Sequence, residues 1–142
     1  MSTLLADTIR KTGGTAGVDI RVKNTSVYES EGGTSVTQNL AQSLCKSWCN
    51  FDGTASGAAA RDSFNVGSMT DTATGNYTTN FTNNMSNDDF SASTDSQDET
   101  GRTNIHSSFE GQTTSTLQIR HFEGGSGTDT PRIGTIVAGD LA

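Results

Sequence analysis

From Leu44 onward, apolar and polar residues alternate in short runs that turn-forming residues separate. Alternation with a period of two places one side of a strand against a core and the other side in water. In the clearest run, Leu117, Ile119 and His121 are predicted to share one face. Seven such runs occur, at residues 44–51, 59–71 with a kink at Gly67, 75–82, 89–95, 103–110, 115–123 and 131–137. Seven short strands at this spacing predict a mainly β protein, an antiparallel β-sandwich.

Composition limits how much apolar surface these strands can bury. Only 30% of the 142 residues are hydrophobic, and Thr, Ser, Gly and Asn make up nearly half of the chain. A chain of this length forms one domain plus a short extension, and the core of that domain is thin. We therefore expect the protein to gain stability by burying surface against copies of itself.

Residues 1–43 follow a different pattern, which predicts two parts: a docking or oligomerisation arm at residues 1–43 and a β-sandwich domain at residues 44–142. Alternation at residues 18–22 predicts one strand of the arm. Apolar residues four apart at 36–44 predict a short amphipathic helix, with Ser35 as its N-cap. The helix either packs on the β domain or meets two copies of itself in a trimeric bundle, and the sequence leaves both possibilities open.

The first run of the β domain contains the only tryptophan of the chain. Because few large residues are available to fill the core, Trp48 and Phe64 are both predicted to be buried. Alternation predicts that four residues of this run share one face, namely Cys45, Ser47, Cys49 and Phe51, with Lys46, Trp48 and Asn50 on the other. In the third run, Tyr77, Thr79 and Phe81 are predicted to lie together.

Charge argues against two classes of partner. The chain has 9 Lys and Arg residues against 16 Asp and Glu residues, which gives a net charge of -7. No basic patch is available to displace counterions from phosphates, so we expect neither nucleic acid nor an anionic membrane surface as partner. No run approaches the roughly 18 apolar residues of a membrane span, and the first residues do not resemble a secretion signal.

Histidine and cysteine offer no recognisable reactive pattern. His106 and His121 are the only histidines, no GxSxG motif occurs, and His121 is predicted to be partly packed or to face solvent. Cys45 and Cys49 are four residues apart, which on a strand is about 13 Å and too far for a disulfide. Both are predicted to be buried free thiols. We therefore predict no catalytic residues, no metal site, no cofactor and no enzymatic activity.

Acidic and glycine-rich segments have similarly simple interpretations. An acidic cluster spans Asp88, Asp89, Asp95, Asp98 and Glu99, but it lacks the DxDxDG spacing of a calcium loop, so a solvated acidic face is the favoured interpretation. Three glycine pairs lack the lysine of a phosphate-binding loop and are predicted to be turns. The polar connections at 94–102 and 124–130 are predicted to be exposed tips.

Two motifs carry a resemblance to a known group of proteins. The chain is similar to tail-fibre and related virion proteins of marine tailed phages of the cyanophage and pelagiphage kind, which share KxWxNFxG followed by IRxSFNVxSxTDxGTGxYTxNFT. The first motif matches Lys46, Trp48, Asn50, Phe51 and Gly53. The second matches Arg61, Ser63, Phe64, Asn65, Val66, Ser68, Thr70, Asp71, Thr74, Gly75, Tyr77, Thr78, Asn80, Phe81 and Thr82. The likeness is dense over about forty residues.

The resemblance implies a non-enzymatic structural protein of the virion, made in the host cytoplasm. A small fibre or tail-appendage subunit is expected. Such a subunit forms a homotrimer and binds other virion proteins. A head-decoration protein is an alternative. A receptor- or carbohydrate-binding module is another, for which Trp48, Tyr77 and Phe122 are candidate aromatic platforms and a host surface receptor is the partner. A depolymerase-type enzyme is the least favoured hypothesis, because such enzymes generally need a longer chain.

Overall fold

The structure is a computed structural model that describes residues 27–29, 37–39, 43–97 and 106–142. Within this part of the chain the elements are β-strands, with these bounds: β1 Val27–Glu29, β2 Thr37–Asn39, β3 Cys45–Asp52, β4 Ala59–Phe64, β5 Val66–Ala73, β6 Asn76–Phe81, β7 Ser91–Ser96, β8 His106–Thr113, β9 Thr116–Glu123, β10 Ser126–Gly127 and β11 Ile133–Ala138. The first two form a small antiparallel pair, and the other nine form the β domain.

The β domain consists of two antiparallel sheets, so the predicted sandwich is confirmed. One sheet has four strands in the order β4-β3-β11-β7. The other has five, in which β5, β6 and β9 are successive neighbours and both β8 and β10 pair with β9. The central strands of the two sheets show the predicted alternation along most of their length, with buried residues at every second position of β6, β9 and β11 and from Ser47 to Phe51 in β3. At the start of β3 the pattern is broken, because Lys46 is buried and Cys45 is exposed.

The core lies between the inner faces of these central strands. The largest fully buried side chains are Tyr77, Phe51, Met85, Leu117, Ile119, Ile133 and His121. Two aromatic pairs meet edge to face: Phe51 with Tyr77 at 5.1 Å between ring centroids, and Phe81 with Phe90 at 5.7 Å. Such pairs contribute about 0.5 to 1.5 kcal/mol beyond the area they bury. A core with few aliphatic residues thus depends on aromatic contacts.

Asn65 forms the corner at which the chain leaves one sheet and enters the other. It lies between β4 and β5 with a φ of 58°, a left-handed conformation that asparagine tolerates better than most residues. Its side-chain Nδ2 donates hydrogen bonds to the carbonyl oxygens of Lys46 and Asn83, both at 3.0 Å, while its Oδ1 accepts one from the backbone N–H of Asn83 at 2.7 Å. One side chain therefore joins β3, the corner and the segment after β6.

The predicted kink at Gly67 is replaced by this corner. Residues 59–71 were expected to form one bent strand, but they form β4 and the first part of β5, which belong to different sheets. The turn falls two residues earlier than predicted because Asn65, and not Gly67, has the left-handed φ. Glycine is the usual sequence signal for a left-handed φ, but asparagine also adopts this conformation.

The predicted helix at 36–44 is wrong in its described part. Thr37–Asn39 pair with Val27–Glu29 as a strand, and Leu44, expected on the apolar side of the helix, is 55% exposed. Thr and Asn are weak helix formers, and an isolated helix of three turns is marginal in water. The strand predicted at 18–22 lies outside the described residues, and the division at residue 43 stays a prediction.

Two burial predictions are also corrected. Phe64 is 51% exposed, and Cys45 is exposed at the start of β3. Cys49 pairs with Ser63 in the register of β3 and β4, so the inward position of β4 is taken by serine. Phe64 is paired with Trp48 and shares its outer face, where Trp48 itself is half-buried.

Candidate functional site

The outer face of the four-stranded sheet carries a line of apolar side chains. Strand pairing sets Phe64 opposite Trp48 and Trp48 opposite Ile136. Side chains that are directly opposite in neighbouring strands have Cβ atoms about 4.5 to 5.5 Å apart, so these three are in line across the sheet. We call Phe64, Trp48 and Ile136 the apolar row.

The apolar row is open to solvent. Phe64 is 51% and Ile136 is 58% exposed, and Trp48 is half-buried between them. Single exposed apolar residues are ordinary on protein surfaces, but contiguous ones mark interaction sites. In a chain with 30% hydrophobic residues, the only tryptophan and its two strand neighbours are placed on the outside rather than in the core. This placement identifies the outer face as a candidate binding face.

A second line of residues runs parallel to the first, two positions along each strand. Asp62 is opposite Asn50, Asn50 is opposite Gly134, and Gly134 is opposite Asp95. We call these four residues the polar row. A Cβ atom added at Gly134 would meet no atom within 4 Å, so the glycine leaves an open gap between Asn50 and Asp95.

Two adjoining depressions share Gly134 and Asp95, and together we call them the trough. One, of about 290 Å³, is bounded by Trp48, Ile136 and Ser93 and is mainly apolar. The other, of about 250 Å³, is bounded by the polar side chains of Asn50, Gln97 and Arg132 and exposes polar and apolar surface in about equal measure. Each is slightly below the lower end of the range for small-molecule sites, which begins at about 300 Å³. The trough therefore offers one apolar wall and one hydrogen-bonding wall.

The polar groups of the trough are not occupied by the rest of the described chain. Within residues 43–97 and 106–142, the Trp48 indole N–H, the Asn50 amide and the Arg132 guanidinium have no side-chain hydrogen bond. The Asp95 carboxylate accepts one hydrogen bond, from the backbone N–H of Ser96 at 2.8 Å. These donors and acceptors are available to a ligand.

On the outer face of the five-stranded sheet, the comparable groups are paired with one another. Arg120 donates from Nη1 to Glu110 at 2.7 Å and from Nε to the Asn76 side chain at 3.0 Å. Its guanidinium also lies 4.5 Å from the centre of the Phe122 ring, and His106 stacks on the same ring. Phe122 was a candidate platform, and these two residues cover it.

Tyr77, another candidate platform, belongs to the core. Its hydroxyl donates a hydrogen bond to Asp129 at 2.9 Å, and the same carboxylate oxygen accepts one from the backbone N–H of Gly75 at 2.7 Å. Burial, followed by the hydrogen bond to Asp129, raises the pKa of Tyr77 well above its ordinary 10. Position 53 must be glycine here, because a Cβ atom would collide with the Tyr77 ring. Only Trp48 of the three candidate platforms is left with an open setting.

Both histidines are placed by the structure, and the prediction for His121 is wrong. His121 is buried at 1% exposure, and its Nδ1 is 2.9 Å from the Ser107 hydroxyl. The period-two alternation that assigned His121 to the face of Leu117 and Ile119 already pointed inward, and the polarity of histidine was given too much weight. A serine–histidine contact normally invites a catalytic interpretation, but a substrate cannot reach a side chain buried in this way. His106 is exposed beside Phe122.

The cysteines and the described acidic residues lie apart from the two histidines in the roles that the structure gives them. Both cysteines are free thiols, and burial, with a smaller contribution from the charge of Asp62, raises the pKa of Cys49 to about 11. No group of three or more His, Cys, Asp or Glu side chains that could hold a metal occurs among the described residues. Asp88 and Asp89 are exposed, Asp95 lies on β7, and residues 98 and 99 fall outside the described part.

The predicted tip at 124–130 is exposed only in part. Gly124 and Gly125 form an exposed turn, but Thr130 is fully buried and Asp129 holds the Tyr77 hydroxyl. Of the tip at 94–102, the first residues continue β7. The open face described above is formed by strands of a sheet, and Asp95 from the predicted tip at 94–102 lies on it.

No family model, curated protein or solved structure matches this chain.

Among the described residues, no helix is long and apolar enough to span a membrane.

Gly134, Ile136, Asp95 and Arg132 were not singled out from the sequence as a site. A signal was present in residues 131–137, where Ile133, Thr135 and Val137 are the buried set and Ile136 is the apolar residue out of phase with them. An apolar side chain on the polar side of an alternating strand indicates an exposed contact. Which strands lie beside it depends on pairing between distant segments, which one sequence does not reveal.

Proposed function

We propose that the chain is a non-enzymatic structural protein of a phage particle, a small fibre or tail-appendage subunit that assembles as an oligomer. The resemblance of residues 46–82 to marine phage virion proteins supports this proposal. A trimer is the expected symmetry for a fibre. Residues 1–43 are then the docking arm, and the β domain projects outward.

The observation that carries the proposal is the structural role of the shared residues. Asn65 of the SFNV segment bonds three parts of the domain together, and Gly53 and Tyr77 pack against each other with no space for a larger residue. These three motif residues thus build the scaffold of the β domain. A motif that specifies a scaffold suits a protein whose task is to be assembled and displayed.

Two measurements test this proposal. Antibody raised against the chain should label intact particles of the phage that encodes it, and labelling at the tail rather than the head would favour the fibre or appendage. Light scattering of the full chain should give a mass above that of the 14.9 kDa monomer. Particles that lack the protein would contradict the proposal, whereas labelling confined to the head would replace the fibre with a head-decoration protein.

A receptor- or carbohydrate-binding module is the second candidate function, because one specific observation favours it. The apolar row is directly beside Asn50, whose side chain has no hydrogen-bond partner among the described residues, and Arg132 at the same trough has none either. That combination belongs to recognition and is not needed for the stability of the sandwich. The two functions are compatible, since a displayed subunit can itself carry the binding face.

A further inference from the structure

We propose that the trough centred on Gly134 is a binding site for a neutral saccharide. The inference deepens the second candidate function and does not depend on where in a particle the protein is placed. It follows from the chemistry of the trough walls. One wall is apolar and the other forms hydrogen bonds, and a sugar likewise has apolar faces and hydroxyl groups around its edge.

The apolar wall fits the faces of a sugar ring. A pyranose has C–H groups on its faces and hydroxyl groups around its edge, so it needs a flat apolar platform together with hydrogen-bonding groups beside it. The indole of Trp48 is large and rigid and keeps an N–H at its edge. Ile136 extends the platform by one strand, directly opposite Trp48 in the pairing of β3 with β11.

The polar wall supplies hydrogen bonds of both kinds. The Asn50 amide both donates and accepts, the Asp95 carboxylate accepts, and the Arg132 guanidinium only donates. Sugar hydroxyls can act as donor and acceptor, so they satisfy all three. Asn50 and Arg132 have no side-chain hydrogen bond within the described chain, and therefore a ligand does not have to break existing ones.

Gly134 makes the space that brings the two walls to one ligand. It lies between Asn50 and Asp95 in the polar row, and the position of its absent side chain is open. Most residues are allowed there, since the backbone is that of a regular strand and its φ is not positive. Stability does not require glycine at this position, because glycine weakens a strand. A ligand that approaches the backbone closely does require it, since any side chain would occupy the same space.

Charge selects against other occupants. The two carboxylates of the polar row, Asp62 and Asp95, outnumber the single guanidinium of Arg132. The chain also has a net charge of -7, so phosphate groups and acidic saccharides are disfavoured. A second copy of this chain is disfavoured for the same reason, because apposition of two such faces brings four carboxylates together. A neutral polyol is the ligand class that meets the donors and acceptors without this repulsion.

Trp48 is the only tryptophan of the chain, so intrinsic fluorescence reports on the site directly. Full-length protein should be titrated with maltotriose, cellotriose, mannotriose, chitotriose and lactose at millimolar concentrations, with an oligogalacturonate as acidic probe. We expect at least one neutral saccharide to change the emission and to protect Trp48 from quenching by acrylamide. No response to any neutral saccharide, or a response to the acidic probe alone, would overturn the proposal.

The variant Gly134→Val tests the position of the ligand without disturbing the fold. Valine favours strands and fills the gap, so the variant should melt at the same temperature or higher and bind about tenfold more weakly or worse. Ala138→Val is the matched control, because Ala138 is exposed on the same strand about 13 Å away. It should bind as the unchanged chain does.

Three results would count against the site. Equal binding by Gly134→Val and Ala138→Val would place the saccharide elsewhere. Loss of binding in both variants, with normal melting, would show that the face is not specific. A change in Trp48 emission with protein concentration, in the absence of saccharide, that Gly134→Val abolishes would assign the face to contact between copies instead. None of these results bears on antibody labelling of particles, so this site and the virion proposal can fail independently.

Discussion

The two sheets of the sandwich present outer faces that differ in how their polar groups are used. On the five-stranded sheet, Arg120 is paired with Glu110, bonded to Asn76 and packed on Phe122. On the four-stranded sheet, Arg132 and Asn50 have no side-chain hydrogen bond within the described residues. Each face has an arginine, an asparagine, an acidic residue and an aromatic ring. The difference shows that a sheet face can be closed by its own side chains or left open for a partner.

Along the central strands the inner faces, in contrast, are equally closed. Cys49, Phe51 and Val137 of one sheet and Tyr77 and Leu117 of the other are at most 2% exposed. The open character of the trough is therefore not a sign of a loosely packed sheet. It is confined to the side chains that point away from the core.

The largest expected effect is a loss of stability at one of two phenylalanines in the shared motif, of which one points inward and the other outward. Phe81 is buried against Phe90, so Phe81→Ala should lower the free energy of unfolding by about 3 to 5 kcal/mol. Phe64 is half exposed in the apolar row, and Phe64→Ala should cost about 1 kcal/mol or less. Urea unfolding measures both. Equal losses would mean that Phe64 belongs to the core, as the sequence alone predicts.

The next effect concerns the corner that keeps the two sheets apart. Asn65→Ala should cost about 2 to 3 kcal/mol, because it removes hydrogen bonds to Lys46 and Asn83 and places alanine at a φ of 58°. Asn65→Gly is the control that keeps the left-handed backbone and loses only the hydrogen bonds. Thermal melting should rank the original chain above the glycine variant and the glycine variant above alanine. An unchanged melting temperature for Asn65→Ala would show that Asn65 does not hold the corner together.

Alkaline pH should weaken both inner faces together. The pKa of Cys49 is raised by burial from its ordinary 9.0 to about 11, and that of Tyr77 is raised above 10. Since the folded state holds these protons more tightly than the unfolded state, stability should be full below about pH 9 and fall as the pH rises toward 11. Cys49→Ala should have a shallower decline, and an identical decline would show that Cys49 is not protected by the core.

A smaller effect compares one arginine on each outer face. Arg120→Gln should lower the free energy of unfolding by about 1 kcal/mol, since it removes an ion pair that is partly exposed and a cation–π contact. Arg132→Gln changes the charge identically and should stay within about 0.5 kcal/mol of the original. Chemical denaturation distinguishes the two. A loss at Arg132 as large as that at Arg120 would show that the trough is held together internally.

Much of the sandwich follows from local pattern. Alternation alone identifies the buried sides of β3, β6 and β9, including Phe51, Tyr77 and Leu117. It fails at Phe64, because whether a large residue faces in or out depends on the register with β3, and that register connects separate segments of chain. It also fails at the predicted helix, where an apolar spacing of four was weighed above the poor helix propensity of Thr37 and Asn39.

The candidate site is harder to predict than the fold. Trp48 is recognisable from the sequence as an aromatic candidate, but Asn50, Gly134 and Asp95 are ordinary residues until strand pairing brings them into one row. They come from three strands, and the first and last of these residues are 84 positions apart in the chain. A glycine in a strand usually indicates a bulge or a close approach of another group. The pairing of Gly134 with both neighbouring strands is regular, and the proposed site gives it the second meaning.

The most direct test of the account is a map of backbone amide chemical shifts during titration with the neutral saccharide that changes Trp48 emission. We predict shifts at Asn50, Asp95 and Gly134 on the four-stranded sheet, and none at Thr78, Gln118 and Arg120 on the outer face of the other sheet. That result would show that the open face is the one that binds. Shifts confined to the five-stranded sheet, or to the turn at Gly124 and Gly125, would contradict the account.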